Sequence, residues 1–406
     1  MITLNEAIDT VLAAVRPLDA VERPPLDALG MALAADVESP EDVPPFDNSA
    51  MDGFAVRAAE AGSGGLRVAL DIPAGTVAER PLERGEAARI MTGAPLPEGA
   101  DAVVPVENTE ERDGVVTATR PVTAAANVRR AGEDVRRGAA LLPAGAALGA
   151  AEIGLLVSAG VEAVRVRRRP RVAILATGSE LVPPGEPLGR GQIRNSNSFT
   201  AYAQVIAAGG EPVLLGIARD DPEETRELIA RALREDAVVT SGGVSIGDYD
   251  FVKTVQEGLG VERRFWKVRT KPGKPMFFGV RGETLVFGVP GNPVAAMVSF
   301  ELYVRPALLA LQGRRDIWRP YVMAAAAETI APGRDRVEAR RCRLARAGGE
   351  WRFSTTGPQG SGILRSMALA DGLLFVPADY AGGGPGERLM AVILDGSRPE
   401  RPPFPD

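Results

Sequence analysis

At 406 residues and 42.6 kDa, with 45% hydrophobic and 25% charged residues, the chain has room for roughly two to four domains and the composition of an ordinary soluble globular protein. It contains no histidine and a single cysteine, Cys342. That excludes Ser-His-Asp and Cys-His catalysis, an internal disulfide and a Cys/His zinc site, so any catalytic metal must sit on oxygen ligands, which points to magnesium. A net charge of −6, with no basic run longer than Arg167-Arg168-Arg169, disfavours nucleic acid as the partner.

In chain order, Thr3-Leu4-Asn5-Glu6 has the form of a capping box, and Leu4, Ile8, Val11, Leu12 and Val15 repeat at helical spacing up to Pro17. Glu6 and Asp9 stand where a signal peptide carries positive charge. The uncharged stretches 138–151 and 284–300 are short and broken by Gly and Pro, so neither secretion nor a membrane span is expected and a cytoplasmic setting is. From Asp47 to Arg130, short apolar runs (Val68 to Ile72, Ala102 to Val106, Val115 to Thr119) separated by Gly, Pro and Asp-Gly turns predict a β-rich module. Helical periodicity returns at Leu148 to Ala159, which makes that module an insertion into a discontinuous helical unit. Residues 171–312 alternate apolar strands with helices, the pattern of a three-layer α/β fold with a mostly parallel sheet; Asp221, Pro222 and Glu224 open one of those helices as a capping box. Beyond Trp318 short strands return, with a hairpin at Arg346 to Glu350, and the proline-rich tail from Arg398 is expected to be irregular and loosely held. The expected domains are 1–46 with 130–169 (helical and linking), 47–129 (β insertion), 170–316 (α/β) and 317–406 (β, barrel-like).

Ligands of parallel α/β sheets sit beyond the carboxyl ends of the strands. Three turns fall there: Ala176-Thr177-Gly178-Ser179-Glu180, Thr240-Ser241-Gly242-Gly243-Val244-Ser245 and Val289-Pro290-Gly291-Asn292-Pro293. Their glycines let backbone N–H groups approach a phosphate. Each alone is most simply a tight turn; three at one edge favour a binding site. The carboxylates Glu180, Asp220, Asp221, Asp248 and Asp250 cluster at the same edge, with Asp221 read as a helix cap and the others as available magnesium ligands. Lysine is confined to Lys253, Lys267, Lys271 and Lys274 against 43 arginines, so Lys271-Pro272-Gly273-Lys274-Pro275, a loop stiffened by two prolines, reads as an anion trap more readily than as a solvated turn.

The segments PPFDNSAMDGFAVRA (44–58), RIMTGAPLPEGADAVVPVE (89–107), RRAGEDVRRGAAL (129–141), ATGSEL, NSNS, TSGGVSIGDYDFVK (240–253), FWKVRTKPGKP (265–275) and GVPGNPVA (288–295) follow one another in order. Together they resemble the molybdopterin molybdenumtransferase family, which comprises bacterial MoeA, the plant E-domain enzymes and the gephyrin E domain. The resemblance implies insertion of molybdate into the dithiolene of adenylylated molybdopterin with release of AMP, aided by magnesium. It also implies an elongated homodimer whose β insertion helps close the partner's α/β cleft, with handover from an adenylyltransferase and to molybdoenzyme maturation proteins.

By the same resemblance the catalytic positions are Asp52, Thr92, Asp134, Glu180, Asp220, Asp250, Lys267, Lys271 and Lys274. Substrate binding falls to Thr177, Gly178, Ser179, Ser241, Gly242, Gly243, Asp248 and Pro290, Gly291, Asn292, Pro293. Molybdate falls to Lys271, Lys274, Arg341 and Ser361, and magnesium to Glu180, Asp220 and Asp250. Arg340 stands beside Arg341 and competes for its role, and Ala295 replaces a serine frequent in the family. Two other functions compete: a molybdopterin adenylyltransferase, which would resemble only the α/β portion, and a receptor-clustering scaffold of the gephyrin type, which would need no intact acidic and lysine set.

Overall fold

The computed structural model describes residues 1–62, 64–219, 221–243, 251–396 and 399–405, with the backbone alone at 251–253. The central sheet runs in the order Glu211–Ala218, Arg171–Thr177, Ala237–Ser241, Thr284–Val289, Phe277–Arg281, Glu262–Trp266. Its first four strands are parallel and Phe277–Arg281 pairs antiparallel on both sides, so the sheet is mostly parallel with a hairpin toward one edge. Arg171–Thr177, Ala237–Ser241 and Thr284–Val289 are buried nearly throughout because helices cover both faces, which is why they read as continuous apolar runs and not as alternating ones. The second strand lies on one side of the first and the third on the other. That reversal opens a crevice beyond Thr177 and Ser241.

The helical stretch Pro293–Leu311 closes one face. At 19 residues, with a mean hydropathy of 1.6 over an 18-residue stretch, it is long and apolar enough to cross a membrane, but 83% of that stretch is buried inside the protein. Its middle turn, Phe300–Val304, is π-helical and precedes Pro306, a residue that cannot donate to the carbonyl four positions back.

The opening helix Leu4–Ala14 has its capping box: Glu6 N–H donates to Thr3 Oγ1 and Thr3 N–H to Glu6 Oε2. Its buried face, Leu4, Ala7, Ile8 and Val11, shares a core with Phe265, Val268, Phe300 and Val304. The helix therefore packs on the α/β unit. The segments flanking the insertion pair with each other mainly as short strands: Ala20–Arg23 with Val164–Arg167, Val37–Glu38 with Ala140–Leu142, and Asn48–Ser49 with Val128–Arg129. They zip the outgoing and returning chain together over a core of Met31, Leu33, Leu148, Leu156 and Val166, to which the helix Ala150–Ser158 contributes. Between them the insertion forms a six-stranded sheet spanning Gly53 to Ala118. Arg168 latches this part to the α/β unit through Asp236, with two contacts of 2.6 Å.

Asp221 caps Pro222–Ala232 as expected, accepting from Glu223 and Glu224 N–H. The predicted box is not completed, because the Glu224 carboxylate accepts from Arg219 N–H at 3.2 Å. The next helix runs Phe251–Gly258. In the C-terminal region Val337–Ala347, Glu350–Thr355, Tyr321–Ala326, Arg388–Ile393 and Gly372–Val376 pair in a ring, a closed five-stranded barrel. The hairpin turns at Gly348 and Gly349, both in the left-handed region. A sixth short strand, Thr270–Lys271, adds to the barrel in parallel with Val337 and Glu338, and so ties barrel to α/β unit.

The tail departs from expectation. Phe404 packs 5.0 Å from Phe375 and 6.4 Å from Trp318, and Arg401 covers Trp318 and pairs with Asp9. One aromatic anchor among prolines, whose backbone has little entropy to lose, is enough to seat the segment. Phe404→Ala is expected to lower stability by about 2 kcal/mol, read as a shifted urea midpoint with an unchanged slope. An unshifted midpoint would mean that the tail is only resting on the surface.

Candidate active site

The three turns converge as the strand order requires. Thr177 Oγ1 donates to Ser241 O at 3.3 Å, Gly242 N–H to Val289 O at 3.2 Å, and Asn197 Nδ2 to Gly291 O at 2.8 Å. Gly242 has φ +91°, and a Cβ there would lie 2.6 Å from Thr177 O, so no other residue lets these turns approach as closely. Together they line a cleft of about 480 Å³ with Thr177, Glu180, Ser241, Gly242, Gly243 and Pro290 to Pro293 on its walls. Glu180 is exposed, its carboxylate folded against Gly178, and Gly178 N–H donates to Ala218 O. Ser179 is exposed, and neither it nor Gly178 is among the residues lining the cleft. Asp220, Asp248 and Asp250 lie outside the described residues. Among the described residues no cluster of three or more Cys, Asp or Glu side chains is placed to hold a metal.

One wall was not assigned from the sequence. Arg194, Asn195, Ser196 and Asn197 also line the cleft, as does Pro275. Asn195 Oδ1 accepts from Ser198 N–H and Asn195 Nδ2 reaches Ser198 Oγ, fixing the turn into Asn197–Ala207. The signal available was the NSNS run itself, which looks like a helix start and conceals a cleft wall.

The loop carrying Lys271 and Lys274 sits between α/β unit and barrel. It is cinched at its neck, since Val268 and Met276 N–H both donate to Lys274 O at 3.0 Å. The two lysines diverge in setting. Lys271 Nζ lies 2.9 Å from Glu338 Oε1, while Glu338 Oε2 takes Arg340 Nε at 2.8 Å. Burial acts to raise the Glu338 carboxyl, but Lys271 and Arg340 outweigh it and hold it below its ordinary value. Lys274 is exposed beside Pro275. Lys267 stacks over Trp266, 3.7 Å from the ring centroid, in a left-handed conformation (φ +72°) that a lysine adopts only under constraint.

The ambiguity between Arg340 and Arg341 resolves by strand alternation. Arg340 turns toward Glu338 and the carbonyls of Ala331 and Pro332. Arg341 turns the other way, is 1% exposed, and donates to Ser366 Oγ and Gly360 O, both at 3.0 Å. No carboxylate pairs with it among the described residues, and burial pushes its guanidinium down to about 10. Next to Gly360, the carbonyl of half-buried Ser361 accepts from Val294 N–H at 3.0 Å, joining this buried cation to the Pro290–Pro293 wall. Ala295 is 3% exposed in the same helix turn.

On the β insertion, Asp52 Oδ1 accepts from Thr92 N–H at 2.7 Å and Thr92 Oγ1 at 2.8 Å. The backbone donor first, then the hydroxyl, hold the exposed Asp52 carboxyl below its ordinary value. Asp134 is exposed in the 130–137 loop. Asp52, Thr92 and Asp134 are not among the residues lining this chain's own cleft. Cys342 is fully buried, and burial first, with Asp371 adding, pushes its thiol up to about 12, which removes it from nucleophilic chemistry.

Comparison with known proteins agrees with this architecture. Residues 2–160 match the model of the MoeA N-terminal region (domain I and II), 173–310 that of a probable molybdopterin binding domain, and 323–394 that of the MoeA C-terminal region (domain IV). The chain is 39% identical over 404 residues to molybdopterin molybdenumtransferase 2 of Mycobacterium tuberculosis, covering 96% of this chain and 98% of that one. It is 41% identical over 297 residues to the molybdopterin molybdenumtransferase of Haemophilus influenzae, covering 72% and 73%. The crystal structure of the molybdopterin biosynthesis MoeA protein of Pyrococcus horikoshii superposes with a TM-score of 0.81 at 33% identity over 98% of this chain and 100% of that one. By motif order, three-part architecture and similarity along nearly its whole length, the chain belongs to the MoeA family of molybdopterin molybdenumtransferases.

Proposed function

We propose that the enzyme inserts molybdate into the dithiolene of adenylylated molybdopterin and releases AMP, working in the cytoplasm as a homodimer. The observation that carries the oxyanion half of this reading is Arg341. A guanidinium buried without a carboxylate is costly to keep, and it adjoins the Ser361 segment bonded to the cleft wall. A dianion arriving there would supply the missing countercharge. The glycine-rich turns at Thr177 to Ser179 and Ser241 to Gly243, with Asp248 and Pro290 to Pro293, suit a phosphorylated pterin, because their backbone N–H groups can approach phosphate oxygens. The presence of both N-terminal and C-terminal family regions favours molybdenum insertion over adenylyl transfer.

Glu180 offers an exposed carboxylate on the cleft wall, a donor of the kind magnesium takes when phosphates and water fill its other positions. With Asp220 and Asp250 it would hold the ion. Magnesium supplies charge neutralisation along the phosphoanhydride when bound. Lys267, Lys271, Lys274 and Ser361 orient the anionic groups, Lys271 already held by Glu338 and Lys274 open to solvent. Lys274→Arg keeps the charge but replaces a compact donor with a planar fork. It is expected to raise the molybdate concentration for half-maximal rate by about tenfold, with binding of adenylylated molybdopterin little changed. Weaker pterin binding with an unmoved molybdate dependence would assign Lys274 to the substrate phosphates instead.

Asp52, Thr92 and Asp134 belong in this reading to the partner's cleft, supported by their not lining their own. Subunits carrying Asp52→Ala and Glu180→Ala, each inactive alone, are expected to recover part of the activity when combined, since one of the heterodimer's two sites is intact. A verified heterodimer without recovery would confine the site to one subunit.

A further inference from the structure

Beneath the lysine loop lies a feature that substrate binding does not use. Thr270, Ser299 and Tyr303 are 2%, 1% and 1% exposed, and the oxygen of each side chain is buried without a hydrogen-bond partner among the described residues. The Tyr303 and Thr270 hydroxyls face one another short of full hydrogen-bond geometry, and burial keeps the phenol above its ordinary value. Ser299 and Tyr303 are four residues apart, on one face of the helix, and Tyr303 lies in its π-helical turn, a distortion frequent at functional sites. A serine inside a helix commonly bonds back to a carbonyl of the preceding turn; Ser299 does not. What lies over these hydroxyls is Gly273, in the middle of the Lys271–Pro275 loop. A Cβ on Gly273 would come 2.9 Å from Ser299 Oγ and 3.6 Å from Thr270 Oγ1.

Packing alone does not account for three hydroxyls in one place. Valine, alanine and phenylalanine would fill nearly the same space without the cost of buried polar atoms. We propose that Thr270, Ser299 and Tyr303 form a polar seat on which Gly273 rests, and that they act as positioning residues holding the Lys274 ammonium at the cleft mouth. In this proposal the seat grips the loop from below, its hydroxyls turning onto the loop backbone or onto a water under the glycine. The neck bonds to Lys274 O hold it from the side. Lys274 then meets an incoming oxyanion without first losing the freedom of a mobile loop. The proposal deepens the reading above and rests on it, since it takes Lys274 as a ligand of molybdate.

The test removes one oxygen at a time with little change of shape: Thr270→Val, Ser299→Ala and Tyr303→Phe, with Thr270→Ser as the rescue and Lys274→Ala in parallel. In the full-length enzyme, each deletion is expected to raise the molybdate half-saturation about tenfold with kcat changed by less than about threefold. Amide exchange across 268–279 should quicken about tenfold, and Thr270→Ser should restore both values. Should Tyr303→Phe fold poorly, Thr270→Val and Ser299→Ala probe the seat from its loop and helix sides. The positioning role is overturned if Lys274→Ala shifts the molybdate dependence and the hydroxyl variants do not. It is overturned equally if exchange across the loop stays within twofold of the parent. If exchange quickens and Lys274→Ala leaves the molybdate dependence unmoved, the seat stands as a holder of the loop and the molybdate role of Lys274 fails.

Discussion

Arg341→Met is expected to cut molybdate-dependent AMP release by about 100-fold while leaving the melting temperature within a few degrees of the parent, or above it. Losing a charge-assisted donor to a dianion is worth about 1.5–3 kcal/mol, which sets the size of the activity loss. The stability half follows from the sign of the shift. Burial lowers the guanidinium from its ordinary value to about 10, so between the two the unfolded chain binds more protons and stability rises with pH. At neutral pH the buried charge therefore costs stability, and methionine, of similar length and apolar, removes that cost. Opposing this are the bonds lost to Ser366 and Gly360, each of about 1 kcal/mol, so the two contributions nearly cancel. A variant that loses activity together with more than roughly ten degrees of melting temperature would show that Arg341 is a structural strut.

Glu180→Gln is the second large effect. The side chain is exposed, its carboxylate against Gly178, so the fold should be little affected. Removing its charge is expected to lower AMP release by about 100-fold and to raise the magnesium concentration needed for half-maximal rate, because a neutral amide is a poor ligand for a hard cation. Unchanged magnesium dependence with full turnover would take Glu180 out of the site.

Much of this was legible in the sequence because it is written in local pattern. Thr3 and Glu6 announce the first helix, the apolar runs the buried parallel strands, and the three glycine-rich turns the edge at which they meet. The strands Glu262–Trp266 and Phe277–Arg281 went unread because the lysine loop splits their hairpin and Arg263 and Arg264 hide the first of them. Pairings across long stretches of chain left no local trace. The Lys271–Glu338 bridge joins residues 67 positions apart, and Asp52 meets Thr92 across 40. Arg340 and Arg341 are alike in sequence because the first part of their strand, Val337 to Cys342, is buried on both faces; what tells them apart is what each face meets, Glu338 and the Ala331 and Pro332 carbonyls for Arg340, Ser366 and the Gly360 loop for Arg341. The tail misled for a related reason: its prolines describe a backbone without regular structure, and the anchoring role of Phe404 depends on Phe375 and Trp318 lying beneath it.

The most direct measurement is single-turnover conversion of adenylylated molybdopterin by the purified enzyme with magnesium, with and without molybdate, following AMP and the metal-loaded pterin together. The account predicts that AMP appears with molybdate present, in one-to-one proportion to molybdenum-loaded pterin, and that neither ATP nor pyrophosphate takes part. Consumption of ATP with release of pyrophosphate, or AMP release indifferent to molybdate and unaccompanied by a loaded pterin, would contradict it.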